Sequence, residues 1–166
     1  MFRLGSLHGV DDPYYADTFH AELWSQAGGT TYPAPAIARE LTESTELPFP
    51  DAALFCFRGT KQPESALLLK KSSGILLTCD AIQYYGDYRH NNLVARVAMP
   101  FIGFPKTTII GPIWLRMMTP EGGLLKGEFE RLLGWQFDSM LSAHGSYLRT
   151  GAHAAVTAAL RRSFPQ

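Results

Sequence analysis

An excess of charge of either sign is missing from this sequence. Its 166 residues carry 15 basic and 15 acidic side chains, with no long run of one sign. That balance removes the electrostatic case for nucleic acid or an anionic membrane surface, both of which call for clustered cations. Long apolar runs are missing too: none approaches the ~18 residues that read as a membrane span. The first nine residues, MFRLGSLHG, hold neither an apolar core nor a small-residue cleavage site, so no signal peptide is expected. Cysteine is scarce. Cys56 and Cys79 both sit in apolar, strand-like runs, where free buried thiols of a reducing compartment are the simplest reading. No repeat or low-complexity tract is visible. Ser146 follows His144 and Gly145 without the Gly-x-Ser-x-Gly surroundings of a serine nucleophile. What remains is a cytoplasmic single domain over residues 1–166, long enough to bury a core.

The most informative stretch that is present runs from Glu64 to Ile82, ESALLLKKSSGILLTCDAI. It predicts two short strands, over 66–70 and 75–79, joined by a polar turn ending at Gly74, where glycine supplies the turn's φ > 0 residue. Both strands are apolar without alternation, which predicts cover on both faces. The second ends on Asp80, and a carboxylate at the end of a buried strand needs water, a donor or a metal to satisfy it. Upstream, 2–7 reads as a first strand. Asp12 before Pro13 reads as a helix N-cap, with Tyr15 and Phe19 four apart on the helix that follows. A strand is expected over 21–24, a helix over 35–42 from the spacing of Ile37 and Leu41, and a buried strand over 52–57. Between 83 and 120, repeated prolines predict one short helix over 92–99 and otherwise loops. Leu124, Leu125, Phe129, Leu132 and Leu133 mark a further helix stopped by Gly134. Residues 137–143 read as a last strand ending at His144, and 152–164 as a closing helix with Arg161 and Arg162 suited to its C-terminal dipole.

The order of these motifs resembles that of the metallo-β-lactamase-fold superfamily. Its members carry a His-x-His-x-Asp-His loop after an early strand, then a Gly-His-Thr-Pro-Gly-Ser segment before a hairpin. A Gly-Asp and a final Gly-His-Gly follow. Here RGTKQPESALLL occupies the place of the second motif, with Thr60 where a histidine stands. LLTCDAI keeps the bridging aspartate as Asp80, and MLSAHGSYL keeps the last histidine as His144. In the first loop, taking His8 as the first histidine keeps Asp12 as the aspartate, with Val10 and Pro13 replacing the others. Taking His8 as the second instead puts Val10 at the aspartate and Asp11 at the last histidine.

The resemblance implies an α+β fold, the αβ/βα sandwich of that superfamily, lacking its leading strands. It implies a degenerate site in which His8 alone is left of the three-histidine set, and Asp12, Asp80 and His144 make up the other. Two carboxylates and an imidazole suit one divalent ion (zinc, iron or manganese) with positions left for water, the arrangement of a hydrolase-like centre. The alternative is that no ion binds, Asp80 and His144 hydrogen-bond across the sheet's rim, and the scaffold serves binding or assembly. His20 reads as a surface or semi-buried residue, His90 as a polar loop residue or a ligand contributed by an insertion beside the site, His153 as lying on a solvated helix face, and Lys61 and Glu64 as solvated or paired at the site's mouth. Missing leading strands would uncover an apolar face. The apolar stretch 94–118, with Trp114, Met117 and Met118, is the expected contact for a second copy or a partner chain.

Overall fold

The computed structural model describes residues 1–165. It is a mixed α/β architecture with three sheets and five helices among the described residues. At its centre are β4 (Ala52–Cys56), β5 (Ser65–Leu69), β6 (Ile75–Thr78) and β9 (Ser139–Ser142), hydrogen-bonded in that order. β4 to β6 form an antiparallel meander, and β9 joins the free edge of β6 in parallel. The strands expected over 52–57, 66–70 and 75–79 are thus neighbours. Ser72 and Gly74 both take positive φ in that turn, and Gly74 lies so close to Gln136 and Phe137 that a Cβ could not be placed there.

Successive apolar residues in these strands face opposite ways. Phe55, Ala66, Leu68, Leu76 and Met140 turn to one face. Three helices cover them: α3 (Pro112–Met118), α4 (Lys126–Leu132) and α5 (Ala152–Ser163). Leu54 and Leu67 turn to the other face, under a small parallel sheet of β1 (Phe2–Arg3), β2 (Leu23–Ser25) and β3 (Ile37–Glu40). Phe2, Trp24, Leu41 and Phe49 fill that second interface. Cover on both faces is what the unbroken apolar runs called for.

Four elements depart from expectation. Residues 37–40 are a strand rather than part of a helix, pairing in parallel with β2. A spacing of four is even, so Ile37 and Leu41 fit a strand as well as a helix, and the open edge of β2 decides the matter. Pro112 begins α3 rather than breaking it, since proline at the first helical position loses no hydrogen bond. β7 (Ile82–Tyr84) and β8 (Thr108–Ile110) pair antiparallel, though the sequence reads as loop in both places. Between them the chain makes an excursion carrying α2 (Leu93–Ala98), the short helix that was expected. The opening helix α1 (Asp12–Phe19) also forms, but Asp11, not Asp12, is its N-cap residue. No helix among the described residues is long and apolar enough to cross a membrane. Cys56 and Cys79 are free thiols, the latter buried, on segments separated by β5.

Phe129 sits at the middle of the helical face, fully buried, with ring centroids 5.3 Å from Phe57 and 5.9 Å from Trp114. Phe129→Ala is expected to cost about 3–5 kcal/mol of stability, because no neighbour can collapse into so large a gap. A shift in the urea unfolding midpoint at unchanged slope measures it.

Candidate metal centre

Parallel pairing of β6 with β9 sets Thr78 opposite Ser142. The Ala143 N–H continues the ladder onto the Thr78 carbonyl at 3.1 Å. Asp80 and His144 stand two residues beyond these partners, so the register carries both to one rim. There His144 Nε2 lies 3.0 Å from Asp80 Oδ1.

His8 reaches the same point by another route. After β1 the chain runs along the start of β5: the Ser65 N–H donates to the Leu4 carbonyl at 2.6 Å, and the Ser6 N–H to the Pro63 carbonyl at 3.2 Å. A turn closed by the His8 N–H on the Gly5 carbonyl then delivers the imidazole. His8 Nε2 is 3.0 Å from Asp80 Oδ2 and 3.2 Å from His144 Nε2. Gly5 is required here. A Cβ on it would stand 2.5 Å from Glu64 Oε2 and 2.6 Å from Cys79 Sγ.

Asp12 does not join them. Its carboxylate pairs with Arg3 Nη1 at 3.1 Å instead. Burial raises its pKa, partly offset by Arg3. The expected donor set therefore changes: two imidazoles and one carboxylate converge, rather than two carboxylates and one imidazole. The sequence left the register of this loop open, and the Arg3–Asp12 pair is the physical reason Asp12 turns away.

Asp80 is pushed up by burial, but the His144 hydrogen bond and the charge and hydrogen bond of His8 outweigh this. They hold its carboxyl below the usual range. The hydrogen bond and charge of Asp80 raise His144 in turn, against desolvation. A lowered acid stabilises the fold above the ordinary carboxylate value and loses that contribution as pH falls through its own. A raised imidazole stabilises below the ordinary value and loses it as pH rises through its own. The pair contributes most between ~3.9 and ~6.5, where both groups are charged.

Beneath the rim lies Glu64, which the sequence places in solvent or at the mouth and the structure buries completely. Its Oε1 accepts hydrogen bonds from the Asp80 and Ala81 N–H groups, each at 2.8 Å, and so fixes the turn that presents Asp80. Burial pushes its carboxyl up to about 8, the nearby Asp80 charge adds to that, and the backbone donors oppose it. Glu64 is thus a neutral acid at pH 7. The Trp114 indole comes close to it without completing a hydrogen bond. Cys79 is likewise driven up, chiefly by burial, and stays a thiol. Glu64, Cys79 and Asp80 cluster as well, but an ion there would have to displace protons from two buried groups. His8, Asp80 and His144 are the better one.

A cavity of about 320 Å³ opens beside the three. Leu7, Tyr85, Phe104, Ile113 and Trp114 give it apolar walls, and no Lys or Arg lines it. The Gln83 side chain on its wall is tied down, donating to the Asp80 carbonyl at 3.0 Å and accepting from the Tyr85 hydroxyl at 2.9 Å. A larger cleft of about 540 Å³ lies at the opposite end of the central sheet, around the 72–74 turn and Trp135, away from this chemistry.

His20 and His90 are exposed, as expected. His153 is half-buried rather than on a solvated face: its Nε2 is 2.8 Å from the Leu133 carbonyl, and its ring packs on Phe137. Gln83 went unread, and Glu64 was expected in solvent or at the site's mouth rather than buried beneath it. Their roles come from backbone groups that they meet only after folding.

No protein-family model matches the chain, and no curated protein matches it in sequence.

Two substitutions test this construction. Glu64→Gln keeps the acceptor for both backbone donors and removes the ionisation. A carboxyl raised in the fold binds more protons than in the unfolded chain, so stability falls as pH rises between its two values. Relative to Glu64→Gln, the wild-type chain should lose up to about 1.4 kcal/mol per pH unit between the ordinary carboxyl range and about 8. Urea midpoints across pH measure that difference. Gly145 takes φ +92°, directly against the Tyr84 carbonyl. Gly145→Ala combines backbone strain of ~1 kcal/mol with a backbone clash. It is expected to destabilise the chain and to displace His144, seen as loss of the raised His144 titration by NMR.

Proposed function

We propose that the chain is a metallo-β-lactamase-fold, hydrolase-like protein with a reduced site for one divalent ion, held by His8, Asp80 and His144. The observation that carries this reading is the convergence of three donor groups from two strand ends and the N-terminal loop. Donors on a shared ion with bonds of ~2.1 Å stand ~3.0 Å apart in an octahedron and ~3.4 Å apart in a tetrahedron. The 3.2 Å between the two imidazoles and the 3.0 Å from each to one oxygen of Asp80, Oδ2 for His8 and Oδ1 for His144, are of that size. Two imidazoles and a carboxylate favour zinc, iron or manganese over hard, all-oxygen ions. Three donors leave positions for substrate and water, and an ion there supplies Lewis acidity for hydrolysis. Asp80, held ionised by its two histidines, brings the negative charge that recruits the cation, and Glu64 beneath it stays neutral and orients the turn.

The cavity supports an uncharged, largely apolar substrate. Outside the three donors its walls are mostly apolar and carry no lysine or arginine, and 320 Å³ suits a small molecule.

Protein purified without a histidine tag should take up at most one zinc or manganese ion per chain, read by elemental analysis after dialysis. Asp80→Ala is expected to abolish uptake, while His8→Ala and His144→Ala each weaken it about 10-fold or more. Stoichiometric binding that survives Asp80→Ala would remove the ligand set. No uptake by the wild-type chain would leave a scaffold whose three groups only hydrogen-bond one another.

A further inference from the structure

The excursion between β7 and β8 carries a feature that the catalytic reading does not use. Its helix α2 buries no residue. It is held by its ends: Asn92 Oδ1 caps the Ala95 N–H at 2.8 Å, and Arg96 donates to the Arg89 and Asn91 carbonyls at 2.6 and 2.8 Å. The side chains it presents to solvent are nevertheless apolar. Leu93 and Val97 share one face of α2, exposed by 76% and 62%, with Val94 beside them at 78% and Phe101 in the turn that follows at 86%. Ile102 continues the patch. Gly103 then packs so closely on Pro112 that a Cβ there would stand 3.2 Å from Pro112 Cγ, which brings exposed Ile113 alongside. Soluble helices point such residues inward. A contiguous exposed group of this kind marks a contact surface.

Charge indicates what the contact is. The neutral balance of the whole chain conceals a local excess. Between Tyr85 and Pro120 stand four cations, Arg89, Arg96, Lys106 and Arg116, against a single carboxylate, Asp87. Asp87 is spent on Arg89, at 2.6 Å. Arg96, Lys106 and Arg116 are exposed and make no ion pair among the described residues. A second copy docking by this same face would set cations against cations. Exposed aliphatic side chains and Phe101 on a segment whose helix buries no residue, in a stretch that also carries unpaired lysine and arginine, are instead the composition of an interfacial membrane segment.

We propose that the tip formed by α2 and residues 101–113 docks on an anionic lipid surface. The apolar side chains enter the headgroup boundary, and Arg96, Lys106 and Arg116 meet lipid phosphates. Ile113 belongs both to this patch and to the cavity beside His8, Asp80 and His144. Docking would therefore set the cavity's mouth at the lipid boundary. The exposure and charge of this tip are independent of metal binding at the rim.

Co-sedimentation of the purified chain with vesicles tests it, using phosphatidylcholine alone and phosphatidylcholine mixed with phosphatidylglycerol. Binding is expected to the mixed vesicles, about tenfold or more weaker to phosphatidylcholine alone, and weaker as salt rises. Val97→Asp combined with Phe101→Asp should abolish binding and leave the urea midpoint unchanged, because neither side chain is buried. Lys106→Glu combined with Arg116→Glu should reduce binding at least about tenfold while keeping any residual apolar attachment. Three results would overturn the proposal. The mixed vesicles could fail to bind the chain, or bind the double-aspartate variant equally well. Light scattering could instead show self-association that the double-aspartate variant abolishes without any vesicle binding, which would assign the patch to a second copy.

Discussion

Strands β4, β5 and β6 carry apolar side chains at successive positions, so their sheet presents an apolar surface on each side. Neither surface can face water. Helices α3 to α5 occupy one side and the β1–β3 sheet with the 47–49 loop occupies the other. That double requirement fixes where the remaining chain can go. It brings the N-terminal segment over the start of β5, where the Leu4 carbonyl and Gly5 engage Ser65 and Glu64. It presses α4 inward as well. There Arg131 lies over the Phe55 ring at 3.8 Å and reaches Glu43 and the Cys56 carbonyl. The site at the rim follows from the sheet's need for cover, since the segment that shields one face also delivers His8.

Much of this could be read from residue patterns, because patterns report burial. Unbroken apolar strands, a glycine at a tight turn, and a carboxylate ending a strand each name a local requirement that the fold then meets. The strand ends carrying Asp80 and His144 were legible for that reason. The division of labour between His8 and Asp12 was not. Both lie in one short loop, and which of them faces the rim depends on Arg3, a residue whose pairing has no sequence signature. Ile37 and Leu41 failed as a helix signal because their spacing serves either period. The hairpin of β7 and β8 was hidden by the 23 residues that separate its strands, beyond the reach of local turn chemistry.

The rim places two carboxyl groups of opposite character one behind the other. Asp80 faces two imidazoles and is held ionised; Glu64 faces backbone donors in an apolar layer and is held neutral. Their environments separate what their chemistry makes alike. A second buried negative charge under Asp80 would repel it, and a neutral acid avoids that cost while keeping both backbone hydrogen bonds. The cavity beside them continues the same economy, with Gln83 and Tyr85 satisfying each other rather than turning polar atoms into the space.

Pairing of β6 with β9 in parallel also constrains how the chain can change length. Side chains along a strand alternate in direction, so deleting one residue from either strand would turn its rim residue to the other face and part Asp80 from His144. Deleting one residue from both strands would turn the two together and keep them adjacent. Insertions between β7 and β8 are free of this coupling, since Tyr84 and Thr108 pair whatever length of chain joins them. The site's spacing is therefore inherited as a matched pair of strand lengths, while the β7–β8 excursion beside it is open to drift, duplication and replacement.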